Sequence, residues 1–115
     1  MEATDKAKIE KIIADRNRAH KFYYENSKVY RKFAELEQAT YSDGNLEKRY
    51  KELIAIGISV ILNCESCMEW HIHEAFRSGA DKKQVLEAID VGLEMGGGPA
   101  AVSARFAMKV LEYYT

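Results

Sequence analysis

Both cysteines of the chain fall in the stretch NCESCMEWHIHEAF, residues 63–76, with Cys64 and Cys67 three apart and His71 four further on. Residues at this spacing on a helix have Cα atoms about 5–6 Å apart, within the span a disulfide tolerates. The pair could therefore oxidise with little backbone movement. A thiolate must form first, and two features of the stretch would favour one. A helix N-terminus near Cys64 attracts negative charge, and His71 stands one turn from Cys67. These features favour different sulfurs. The same residues could also be part of a metal site, or ordinary core cysteines, since free Cys is among the most buried residue types.

Helical periodicity puts Cys64, Cys67, Met68, His71, Ile72, Ala75 and Phe76 on one stripe, and Ser66, Glu69, His73 and Arg77 on the opposite side. His73 is thus directed away from the sulfurs. Glu52 is the last charge before the apolar run LIAIGISVIL, residues 53–62. A carboxylate buried there beside a histidine and a thiol would make a proton relay, because each group shifts the others toward neutrality. A structural zinc site wants four ligands in a tetrahedron, and Cys64, Cys67 and His71 supply three. Zinc is not expected, nor is any other cofactor.

Glu52, eleven residues, Cys64, two, Cys67, three, His71: this spacing resembles the core motif of the alkyl hydroperoxidase D / carboxymuconolactone decarboxylase family. The surrounding KELIAIGISVILNCESCMEWHIHEAFRSGADKKQVLEAIDVGLEMGG is similar to the same family, and the resemblance covers about residues 40–110. It implies an all-helical fold, assembly as a homotrimer or homohexamer, and thiol-dependent reduction of peroxides. By the family's pattern Cys67 attacks the peroxide, Cys64 resolves the sulfenic acid into a disulfide, and Glu52 and His71 relay the proton. An external dithiol would then reduce the pair. Where the peroxidase branch has a histidine just before the second cysteine, this chain has Ser66, whose hydroxyl can pass a proton but is no base near neutral pH. The family's other branch is a decarboxylase for a small lactone acid, for which Arg105 is the one basic candidate. A non-enzymatic oligomer, redox-sensing or structural, is the third reading.

Bulk properties narrow the partners. A net charge of −1 over 115 residues supplies no basic field for nucleic acid or an anionic membrane. The ten-residue apolar run is half the length a bilayer span needs, about 20 residues, and reads as a buried core helix. The charged N-terminus has no signal-peptide pattern, so a cytoplasmic protein acting on a small molecule is expected.

Positioning the four residues requires helices. One domain over 1–115 is predicted, with N-terminal helices over 1–40 and the motif-bearing core over 45–114. Six helices are expected. The first starts around Ile9, Ile12, Ile13 and Arg16 and runs to Tyr24; a break at Asn26 and Ser27 caps the second, which ends near Ala39. The loop YSDGN, 41–45, leads to a third helix capped by Asn45, and Asn63 caps a fourth from Cys64 to Ser78. Gly79 ends that helix, and Asp81 with Gln84 forms a capping box for a fifth, running to Met95. GGGP, 96–99, breaks the chain before the sixth, and GGGPAA, 96–101, allows close helix approach or lines an entrance. His20 reads as surface, Trp70 as buried against another helix or subunit. Phe22, Tyr23, Tyr24, Tyr30 and Phe33 exceed what two short helices bury in a monomer, which suggests a subunit interface.

Overall fold

The computed structural model describes all 115 residues and contains five helices and no strand: α1 (Ala3–Asn26), α2 (Lys28–Thr40), α3 (Lys48–Ile61), α4 (Glu65–Arg77) and α5 (Lys82–Tyr114). The all-helical expectation holds, with one helix fewer. The predicted fifth and sixth helices are the two halves of α5, which runs on through a single broken residue, Gly97 (φ 70°, ψ −149°), just before Pro99. Only glycine takes that backbone conformation without strain, so the expected break is real but one residue wide.

Helices α3, α4 and α5 pack on one another around Ile56, Val60, Met68, Ile72, Val85 and Ile89. Helix α1 crosses α4 and touches α5, adding Ile9 to the core, whereas α2 comes within packing distance of α1 alone. At the α3–α5 crossing two glycines meet: a methyl group on Gly92 would stand 2.6 Å from the Gly57 carbonyl oxygen.

Turn chemistry sets most of the boundaries. Ser27 Oγ accepts the Tyr30 N–H at 3.1 Å and starts α2. Gly79 (φ 99°) ends α4. The Asp81 side chain accepts the Gln84 N–H at 2.8 Å, and the Gln84 side chain accepts the Asp81 N–H at 3.1 Å, so the capping box forms as expected. Two caps differ. Asn45 caps nothing; Asp43 Oδ1 accepts the Lys48 N–H at 2.7 Å instead. Asn63 takes a positive φ of 52° between α3 and α4, and the N-cap is Cys64, whose sulfur accepts the Cys67 N–H at 3.2 Å. An asparagine tolerates this left-handed bend well, which leaves the next residue to begin the helix.

The run from Leu53 to Leu62 is only half core. Ala55, Ile56 and Val60 are buried, but Ile54, Ile58, Ile61 and Leu62 are exposed on the outer side of α3. No helix is long and apolar enough to cross a membrane. Gly92→Ala is expected to force α3 and α5 apart and cost about 1–3 kcal/mol, as overpacking does. Gly57→Ala, whose methyl would meet the Ala88 carbonyl at a more tolerable 3.3 Å, should cost less. Urea denaturation of both variants checks the order.

Candidate active site

Glu52 sits in the second turn of α3, on the side that α4 covers, with 1% of its surface exposed. A carboxylate so placed needs a hydrogen-bond partner, because an unpaired buried charge is very costly. That partner is His71, seven positions after the Cys64 cap on α4, with Nδ1 2.6 Å from Glu52 Oε1. When Nδ1 donates to Glu52, Nε2 is the ring nitrogen left over for proton exchange.

Cys64 and Cys67 are joined in a disulfide with Cα atoms 5.1 Å apart. Their surroundings differ. A cavity of about 780 Å³ opens between the α1–α2 pair and the α3–α4 pair, and Cys67, His71 and Glu52 lie on its wall while Cys64 does not. Cys64 instead holds the helix cap. The structure therefore brings Glu52, His71 and Cys67 to one cavity, with Cys64 behind.

Ser66, the candidate proton carrier, also borders the cavity, but its Oγ accepts from Arg16 Nη2 at 3.2 Å and its carbonyl from the same nitrogen at 3.0 Å. That guanidinium reaches from α1, lies over the Trp70 ring at 5.3 Å, and pairs with Glu69 Oε1 at 2.6 Å. Trp70 thus forms cavity wall beneath Arg16, half-buried rather than enclosed by another helix. Glu69 corrects the single-helix projection. Placed on the side of α4 opposite the sulfurs, it is 0% exposed, because α1 and the end of α5 cover that side and Tyr114 donates its hydroxyl to Glu69 Oε2. Burial and the adjacent Glu69 charge push the Tyr114 phenol well above its ordinary range. The signal available beforehand was Arg16 itself, a cation on the apolar stripe of Ile9, Ile12 and Ile13.

Tyr41 escaped notice in the sequence. It ends α2, and its ring centre lies 5.1 Å from that of His71. Burial, with the charges of Glu52 and Glu37, raises its pKa, so it stays a neutral phenol at the cavity wall. His20 is exposed as expected, yet it also borders the cavity, its Nδ1 2.7 Å from the Tyr30 hydroxyl. His73 points away, stacked on Tyr114 at 4.5 Å. Arg105 is exposed and outside the cavity, and residues 96–101 do not line it. No three His, Cys, Asp or Glu side chains are grouped as ligands: the sulfurs bond each other and His71 Nδ1 faces Glu52.

The family model described as the carboxymuconolactone decarboxylase family matches residues 27–110. The chain belongs to that family. Among its relatives, uncharacterized protein 4 in the cox locus of Paracoccus denitrificans is 40% identical over 80 residues, covering 70% of this chain and 72% of that protein. Uncharacterized protein H16_B0147 of Cupriavidus necator is 38% identical over 77 residues, 67% of this chain and 66% of its own. The crystal structure of apo-lpg0406, a carboxymuconolactone decarboxylase family protein from Legionella pneumophila, superposes with a TM-score of 0.84 at 31% identity, covering 93% of this chain and 96% of that one. The family member TM1620 from Thermotoga maritima, for which involvement in an antioxidative response has been suggested, superposes at 0.83 and 27% identity, covering 90% and 89%. The family match begins at Ser27, so α1 and its Arg16 brace lie outside the matched residues.

Tyr114→Phe should lower stability at neutral pH by about 1–3 kcal/mol, because it leaves a buried carboxylate oxygen without its donor. Because folding raises this phenol's pKa, its stabilisation is complete below the ordinary tyrosine value of 10.0 and is lost as pH rises beyond it. Denaturant titrations from pH 7 upward should show the parent weakening through that alkaline range and the variant weakening less.

Proposed function

We propose that the chain is a thiol-dependent peroxidase or disulfide oxidoreductase that cycles between the Cys64–Cys67 dithiol and disulfide. The observation that carries this reading is the shared cavity: Cys67, already bonded to Cys64, and His71, held by Glu52, face the same space. In the reduced protein, the Cys67 thiolate attacks one peroxide oxygen, the O–O bond breaks, and the alkoxide or hydroxide leaving takes a proton relayed by His71. Cys67 is then a sulfenic acid. The Cys64 thiolate attacks that sulfur, water leaves, and the disulfide forms. Two thiols and one hydroperoxide thus become a disulfide, an alcohol and water.

The disulfide needs an external dithiol to return it to the starting state, which suits a reducing compartment, and cytoplasmic action is part of the proposal. So is work as a homotrimer or homohexamer, supported by the apolar side chains left exposed on α3 and α5. Lactone decarboxylation finds less support. Arg105 is outside the cavity, and the cavity's two cations are each paired with a glutamate, Arg16 with Glu69 and Lys48 with Glu74.

Stoichiometric peroxide should convert the reduced protein to a species two hydrogen atoms lighter, with Cys64 linked to Cys67 in peptide mass spectra. Cys67→Ser should abolish peroxide consumption, and Cys64→Ser should accumulate a sulfenic acid trappable by dimedone. Glu52→Gln should slow peroxide consumption by about 10²-fold or more, the usual scale of general acid–base assistance. Unchanged turnover in both cysteine variants would overturn the reading.

A further inference from the structure

Helix α2 is amphipathic yet buries none of its residues within the chain. One side, with Tyr30, Ala34, Glu37 and Tyr41, faces the active-site cavity. The other carries Val29, Phe33 and Leu36, 79%, 57% and 61% exposed, at offsets of four and three that align them as one stripe. A stripe of this kind is what an amphipathic helix lays into an apolar groove.

The chain also has such a groove. It lies between α3 and α5, encloses about 500 Å³, and is walled by Ile54, Ile58 and Ile61 on one side and Val91 and Met95 on the other. Its floor is the Gly57–Gly92 crossing, where missing side chains leave depth. No residue lining the groove also lines the active-site cavity, so α2 cannot occupy its own groove without leaving the cavity wall. The charges beside the two surfaces are complementary. Glu87 lies on the lip of the groove and Glu94 two turns further along α5, and neither has an ion-pair partner in the chain. Lys28 and Lys32 border the stripe of α2; Lys28 is unpaired and Lys32 reaches only 3.9 Å to Glu35.

We propose that α2 of one copy docks its Val29–Phe33–Leu36 stripe into the α3–α5 groove of a second copy. This inference deepens the homo-oligomer reading above by naming the contact, and it is independent of the peroxidase chemistry. Each copy carries one donor helix and one acceptor groove, so the contact is heterologous and closes as a ring or a reciprocal pair. It also completes the active site. Helix α2 is one wall of the cavity and within its own chain packs only on α1, so the partner's groove is what holds that wall in place.

Sedimentation velocity of the full chain tests the contact. The parent is expected to sediment as an oligomer, and Phe33→Glu with Leu36→Glu on α2, or Ile58→Glu in the groove, each to reduce it to a single 13.1 kDa chain. Mixing the two variants at high concentration should give a dimer of twice that mass, because the intact groove of the first accepts the intact helix of the second. Should Ile58→Glu lose the parent's helical circular dichroism, Val91→Glu on the exposed lip replaces it. A parent that sediments as one chain overturns the assembly altogether. Variants that stay assembled, or a mixture of folded variants that stays monomeric, overturn this contact alone.

Discussion

A carboxylate sealed between two helices has to be answered by a hydrogen-bond donor, and in this protein the answer is an imidazole. Glu52 on α3 and His71 on α4 meet at 2.6 Å in a place where water reaches neither freely. Losing one partner would leave the other polar and dry, a cost of several kcal/mol in buried pairs of this kind. The requirement sets the register of α4 on α3, and through it the position of Cys67, one turn before His71. The left-handed bend at Asn63 and the sulfur cap at Cys64 let α4 start where that register demands.

A second buried carboxylate braces the same helix from the other side. Glu69 is paired in charge with Arg16 from α1 and accepts the hydroxyl of Tyr114 from the end of α5, so helix α4 is tied to three different helices through Glu69 and His71. Arg16 also takes both oxygens of Ser66, the residue just before Cys67. The serine stands where the peroxidase branch of the family has a histidine, and here its hydroxyl is part of a structural clamp. In the proposed function, proton transfer at Cys67 is left to His71 and Glu52, and Tyr41, a neutral phenol, stands beside the imidazole as cavity wall.

Much of this was legible in the residue pattern. The spacing of Glu52, Cys64, Cys67 and His71 already aligned the sulfurs and imidazole on one face, and Ser27, Gly79 and Asp81 with Gln84 mark helix ends because each satisfies backbone groups in a specific way. What escaped depends on neighbours. Glu69 looks solvated on a single-helix projection, and only the arrival of α1 and α5 buries it. The Leu53–Leu62 run reads as core on composition, yet Ile54, Ile58 and Ile61 turn outward because α3 is covered on one side only. Tyr41 follows a helix end into a turn, where no periodicity predicts its direction. Asn45 and Asn63 were plausible caps that lost to Asp43 and Cys64, since capping depends on backbone angles that the residue type alone does not decide.

The central claim is that the carboxylate–imidazole pair prepares one sulfur, Cys67, for attack. Alkylation of the freshly reduced protein by iodoacetamide at neutral pH, followed cysteine by cysteine with mass spectrometry, tests it most directly. The account predicts that Cys67 reacts well ahead of Cys64 and that this preference collapses when Glu52 is replaced by Gln. Equal rates at the two sulfurs, or a preference untouched by that replacement, would contradict it.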